Sequence, residues 1–156
     1  MITDAELRLA RKGDAYWMAA LSRDFIEHGL RWRYDREQVL RAIASREINA
    51  AVADDGRHRL GFGIMEYRQD TAHLVLLGVR PDHQGRGLGS ALVRWLEKPA
   101  LVAGIQVVRV EVRADNPRGI AFYEKLGYRE RARVPGYYDG RVDALRLDRD
   151  LRVGVD

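Results

Sequence analysis

The stretch His83-Gln84-Gly85-Arg86-Gly87-Leu88-Gly89-Ser90 is the part of the chain where the backbone itself can do chemistry. Ahead of it runs the apolar segment Leu74 to Val79, ended by Arg80-Pro81; behind it Leu88, Leu92, Trp95 and Leu96 recur at helical spacing. A glycine loop that opens a helix presents N–H groups with no helical partner, and the helix dipole adds a preference for negative charge. The chemistry implied is binding of a phosphate-bearing ligand. A tight turn that needs glycine φ values explains the same residues with no ligand at all. Two better-known phosphate loops do not fit, because neither a Gly-Lys-Ser/Thr ending nor the order Gly-x-Gly-x-x-Gly is present. Elsewhere, Glu111 stands near the end of a valine-rich run and Tyr123 beside Phe122. Taken alone they read as an edge glutamate and a core tyrosine. His28, His58, His73 and His83 lack ligand spacing, so no metal is expected, and no serine-histidine-acid arrangement is evident.

The elements that must position these residues follow from periodicity. Glu6 to Ala10 alternates as a half-buried strand does. Asp14 is the expected N-cap of a first helix with Tyr16, Ala19, Ala20 and Phe25 on its inner face, stopped by Gly29. A second short helix starts from about Asp35 and offers Val39, Leu40 and Ile43. Between the two, Trp32 and Tyr34 either line a substrate entrance or pack over the core. Ile48 to Ala53 and Leu60 to Tyr67 form a hairpin about Asp54-Asp55-Gly56-Arg57, and His73 to Val79 is the strand that enters the glycine loop. Pro99 is expected to kink or end the following helix, with Gly104 at its exit. Gln106 to Arg113 is a further strand. Asn116 and Pro117 then start a helix that Gly127 closes, and Tyr128 to Val134 and Val142 to Leu147 are the last two strands. The order β-α-α-β-β-β-α-β-α-β-β predicts a mixed α/β domain spanning residues 1–156.

Composition narrows the class. A chain of 156 residues with 46% hydrophobic and 32% charged residues fits one globular domain with a proper core. The formal charge of +4 raises the question of nucleic acid. The basic residues, arginines apart from Lys12, Lys98 and Lys125, are scattered among carboxylates, and no nucleic-acid motif accompanies them, so nucleic acid is not the expected partner. The absence of cysteine suits a reducing compartment. Met1 to Arg11 lacks the long apolar core of a leader or membrane anchor, so the expectation is a cytoplasmic protein with no membrane partner.

At this point the residues carry a resemblance. The segment from about His73 to Leu151 resembles the GNAT superfamily of N-acetyltransferases, and Gln84 to Gly89 matches its Arg/Gln-x-x-Gly-x-Gly/Ala acyl-CoA loop. Glu111-Val112-Arg113-Ala114-Asp115-Asn116, Phe122 to Tyr128, and Tyr137-Tyr138-Asp139-Gly140-Arg141-Val142-Asp143-Ala144-Leu145 are similar to the subgroup that acetylates protein N-termini, including the N-terminal alanine of a ribosomal protein. Val142 departs from the acidic residue usual there.

The resemblance implies an α+β GNAT fold. Its mixed, mostly antiparallel sheet would have six to seven strands and helices on both faces, with a splay between the strands at 73–79 and 106–113. It implies acetyl-CoA as cofactor, direct transfer to a primary amine, and a monomer or homodimer. Glu111 would take the proton of the amine, directly or through water, and Tyr123 would protonate the thiolate. Leu77, Gly78 and Val79 would contribute main chain to the pantetheine arm. Gln84, Gly85, Arg86, Gly87, Leu88, Gly89 and Ser90 would grip the pyrophosphate, and Asn116 would contact the cofactor. Tyr137 and Tyr138 would flank the acceptor, expected to be a protein N-terminus. A small amine as acceptor and a non-catalytic acyl-CoA sensor are the alternatives.

Overall fold

The computed structural model describes residues 5–152; residues 1–4 of the N-terminal stretch read above, and 153–156, lie outside them. Seven strands form one sheet in the order β1-β2-β3-β4-β5-β7-β6. They are β1 (Glu6–Leu9), β2 (Ile48–Asp54), β3 (Arg59–Tyr67), β4 (Thr71–Val79), β5 (Val107–Arg113), β6 (Arg129–Tyr138) and β7 (Val142–Asp150). Every neighbouring pair is antiparallel except β4 with β5. One face carries α1 (Ala15–Leu21) and α2 (Arg36–Ala44), the other α3 (Leu88–Val102) and α4 (Pro117–Lys125). The sheet therefore separates two apolar layers, as a fold with helices on both faces requires. No helix among the described residues is long and apolar enough to cross a membrane.

The β4–β5 ladder is short. Pairing runs from Thr71↔Val107 to Leu74↔Val110 and stops there, which is the expected splay. Its local cause lies one residue further along β4. Met65 of β3 faces Leu74 while Ile64 faces Leu76, so Val75 is an unpaired bulge. A bulge bends its strand and adds twist, and it also exchanges faces: Leu74 packs in the α3–α4 layer and Leu76 in the α1–α2 layer. From Val75 onward β4 stays bonded to β3 but leaves β5.

Several local expectations need correction. Asp14 makes no side-chain cap bond to α1. Its carboxylate is buried instead, accepting from the Arg11 N–H at 2.7 Å, from Arg8 at 2.8 and 3.0 Å and from Arg59 Nε at 2.7 Å. It ties β1 and β3 to the start of the helix. The inner face of α1 is Ala15, Met18 and Ala19, spaced i, i+3 and i+4, together with Leu21; Tyr16 and Phe25 point outward, 73% and 56% exposed. The chain then leaves α1 through a π-turn, Ser22–Ile26, which shifts the helical register by one residue. Pro99 does not end α3, which runs to Val102 with the Ala103 N–H bonded to Pro99 O at 3.0 Å. A proline that close to the end removes one helical bond, and burial of Leu92, Leu96 and Ala100 on the same face outweighs it. The last two strands are longer than expected, β6 reaching Tyr138 and β7 Asp150.

The Asp14 side chain is 3% exposed and holds two guanidinium groups; without its charge Arg8 keeps only Asp54 and Arg59 loses its carboxylate partner. Asp14→Asn is expected to lower unfolding stability by about 2–3 kcal/mol, less than a fully buried broken pair costs, because Arg8 keeps Asp54 and Arg59 reaches solvent. Urea unfolding at neutral pH measures it.

Candidate active site

Where β4 and β5 part, a cleft of about 520 Å³ opens. It is lined by Leu77 of β4, by Glu111 of β5, by Asn116 and Tyr123 at α4, by Tyr34 from the loop before α2, and by Tyr137 and Tyr138 at the end of β6. The cleft thus brings together residues as far apart in the chain as Tyr34 and Tyr138. Gly78, Val79 and residues 84–90 do not line the cleft; they continue the same strand toward the start of α3. Trp32 does not line it. It is 39% exposed and stacks under the Arg23 guanidinium, 5.3 Å from the ring centroid, a cation–π contact.

The loop at the head of α3 has the geometry its composition predicts. Gly85 and Gly87 take φ of 79° and 87°, and a side chain at Gly85 would meet nothing within 4 Å. Ala91 is the first N–H to bond back, to Gly87 O at 3.0 Å, so the N–H groups before it have no helical acceptor. The Gln84 side chain donates to Val79 O at 3.1 Å and folds the loop onto the end of β4. Gly89 also has a packing reason, since a Cβ there would come within 3.1 Å of the Phe122 ring.

Strand alternation explains Glu111. Val108, Val110 and Val112 pack in the α3–α4 layer, so Glu111 turns to the other face. His73 of β4, between Ala72 and Leu74, and Arg146 of β7, between Leu145 and Leu147, turn the same way. Glu111 is consequently enclosed, 6% exposed. Its Oε1 is bonded by His73 Nε2 and accepts from Tyr137 Oη at 3.4 Å; its Oε2 accepts from Arg146 Nε at 2.9 Å. Burial pushes the carboxyl up, but the bonds from His73 and Arg146 and the charge they bring outweigh it and hold it down at about 2.

Asn116 caps α4, its side-chain oxygen accepting from the Gly119 N–H at 3.0 Å, and its amide nitrogen is left over. Tyr123 is buried at 8% exposure, its ring edge-on to Tyr128 at 5.6 Å. Behind it, the Tyr128 hydroxyl donates at 2.6 Å to the buried Glu97, which also accepts from Arg94 and Arg149 at 2.8 Å each. Burial, followed by the neighbouring Tyr138, pushes the Tyr123 phenol well up, so it keeps its proton across physiological pH. Its hydroxyl has no hydrogen-bond partner among the described residues. Buried tyrosine hydroxyls normally have one, and Tyr123 lines the cleft.

Three features of the site have little trace in the sequence pattern. His73 and Arg146 become visible only once their strands are known to be neighbours of β5. Glu27, also buried, accepts from the Ser22 hydroxyl at 2.7 Å and from the Arg33 and Tyr34 N–H groups at 2.6 and 3.2 Å, and so shapes the loop below Tyr34. The third is a clasp: Asp139 accepts from the Arg31 N–H at 2.6 Å and Arg141 donates to Gly29 O at 2.6 Å. It joins the two loops over the cleft.

The sequence pattern of the Acetyltransferase (GNAT) family matches residues 15–128. The chain belongs to that family. This acetyltransferase is 37% identical over 103 residues to the [ribosomal protein bS18]-alanine N-acetyltransferase of Escherichia coli strain K12, covering 64% of this chain and 69% of that one. The crystal structure of the E. coli ribosomal-protein-S18-alanine N-acetyltransferase superposes with a TM-score of 0.79 at 25% identity, over 97% of each chain. Ard1 from Thermoplasma volcanium superposes with a TM-score of 0.84 at 22% identity, over 95% of this chain and 98% of that one, which establishes the fold.

A carboxyl at about 2 in the folded enzyme and near its ordinary 4.5 unfolded stabilises the fold at pH above 4.5. That contribution is lost as pH falls toward 2, because the unfolded chain takes up the proton first. Glu111→Gln is expected to flatten the acid side of the stability profile by about 2–3 kcal/mol between pH 6 and pH 2, read from urea midpoints at each pH.

Proposed function

We propose that this enzyme transfers the acetyl group of acetyl-CoA to the N-terminal amine of a protein or peptide. The observation that carries the reading is the cleft at the splay, where Glu111, Asn116 and Tyr123 meet beneath Tyr34, Tyr137 and Tyr138. The relative at 37% identity, named for acetylating the N-terminal alanine of bS18, supports a peptide as acceptor. In this reading the whole chain is one domain, works in the cytoplasm, and needs no more than a monomer or homodimer.

The residues fit coenzyme A on three counts. The β4 edge past Leu74 has lost its β5 partner, so main-chain groups at Leu77 and the Val79 N–H are available to a pantetheine arm, the Val79 O being taken by Gln84, and an uncovered edge calls for a partner. The open space at Gly85 and the free N–H groups through Ser90 suit a pyrophosphate. Tyr123, with its orphaned hydroxyl, and Asn116, with its spare amide nitrogen, line the same cavity. When bound, acetyl-CoA supplies an activated acyl group as a thioester.

The chain's own residues supply the rest. An amine reaches the site as an ammonium and must lose a proton before it can attack. Glu111 drives that loss through an intermediary, since both its oxygens are engaged and its carboxyl is held at about 2, too acidic to hold the proton of an amine itself. Tyr123, kept neutral by burial, donates its proton to the sulfur that leaves. Tyr34, Tyr137 and Tyr138 enclose the acceptor, and the clasp between Asp139 and the Arg31 N–H fixes the loops that carry them.

Tyr123→Phe keeps the ring packing and removes the donor, so kcat is expected to fall by about 10²–10⁴-fold with the affinity for acetyl-CoA little changed. Thiol release from acetyl-CoA across a panel of N-terminal peptides and small amines tests both role and acceptor. Transfer to polyamines or amino acids with none to any peptide would overturn the acceptor, and coenzyme A binding with no transfer at all would favour a sensor.

A further inference from the structure

The intermediary between Glu111 and the amine is open in the reading above, and the structure holds a candidate that its sequence position does not advertise. His73 is the residue before Leu74, where the β4–β5 ladder ends, so its side chain stands at the mouth of the splay. It lines the cleft together with Glu111, and 34% of its side chain is exposed. Its Nε2 is bonded to Glu111 Oε1. The carboxylate can only accept, so Nε2 carries the hydrogen and the neutral ring must keep its lone pair on Nδ1. Nδ1 has no partner among the described residues. Arg146, opposite Glu111 on β7, keeps the carboxylate charged and fixed from the other side. The further groups around the ring are Glu66, its cross-strand partner on β3, Arg109, level with it on β5, and Tyr137 above Glu111; none of them bonds the ring.

We infer that His73 is the residue that takes the proton from the acceptor amine, at Nδ1, with Glu111 as the positioning residue that sets its tautomer and Arg146 as the brace of Glu111. The inference rests on the acetyltransferase reading and adds a residue to it. In the step, R–NH3+ gives its proton to His73 Nδ1, leaving R–NH2 and an imidazolium whose Nε2–H stays on the Glu111 carboxylate. The neutral amine then forms the N–C bond as the C–S bond breaks; the leaving thiolate takes the Tyr123 proton, the second proton of the former amine leaves to solvent, from which Tyr123 is reprotonated, and the imidazolium returns its own proton to solvent through the open side of the ring.

Two measurements decide it. In the full chain labelled with ¹⁵N-histidine, with resonances assigned by single His→Gln variants, neutral His73 is expected as the Nε2–H tautomer with a bare Nδ1. An Nδ1–H tautomer, or a ring still doubly protonated at pH 9, would overturn the inference, and this needs no substrate. In kinetics with the best acceptor found, His73→Gln is expected to lose about 100-fold or more in kcat while KM for acetyl-CoA stays within about threefold. His73→Ala is expected to regain rate with added imidazole. A His73→Gln kcat within about threefold of the parent's overturns the inference. Should that variant fail to fold, the tautomer of the unaltered protein decides alone. Transfer to small amines only would remove the peptide acceptor and leave His73 standing, so the two readings fail separately.

Discussion

The rest of this molecule depends on a ladder that stops. A parallel pair of central strands normally continues until one strand runs out, because each unpaired N–H or C=O buried without a partner costs about as much as a lost hydrogen bond. Here β4 and β5 share only the rungs from Thr71↔Val107 to Leu74↔Val110, and β5 goes on to Arg113 in pairing with β7. The bulge at Val75 makes this possible. It skips one residue of β4 in the β3–β4 ladder, which then resumes, while turning β4 away from β5, so one edge in the middle of a seven-stranded sheet behaves as a sheet edge.

That edge explains where the chemistry sits. The gap admits a ligand at the centre of the sheet, where side chains from β4, β5 and α4 converge. It also separates two kinds of support. On the α3–α4 side, Glu97 gathers Arg94, Arg149 and Tyr128 and so backs the ring of Tyr123. On the other face Glu111 gathers His73, Arg146 and Tyr137. In each a buried carboxylate has its oxygens satisfied by charged or phenolic donors, which is the condition under which burying it is tolerable. The two clusters brace Tyr123 and His73 from opposite faces of one sheet.

Loops above the α1–α2 face complete the site in a different way. They are held by carboxylates that accept backbone N–H groups: Glu27 takes those of Arg33 and Tyr34, while Asp139, with φ of 57°, takes that of Arg31. A non-glycine residue in the left-handed region is uncommon, and aspartate is among those that tolerate it. The turn between β6 and β7 is therefore shaped to reach the loop after α1.

Much was legible in the sequence, and for local reasons. Asn116-Pro117 starts a helix because an amide caps it and a proline suits its first turn, and the glycines at 85 and 87 announce positive φ because few other residues accept it. The element order and the two apolar layers follow from periodicity, which is a property of single segments. The tertiary structure alone decided the pairings. Asp14 looked like a cap until Arg8 and Arg59 came within reach from two strands. Trp32 looked like a rim residue until Arg23 drew it aside. His73 looked like a histidine without a ligand set until β4, β5 and β7 were adjacent with one parity. A side chain's neighbours across a sheet depend on strand order and register, and those are fixed by contacts that no stretch of the chain contains by itself.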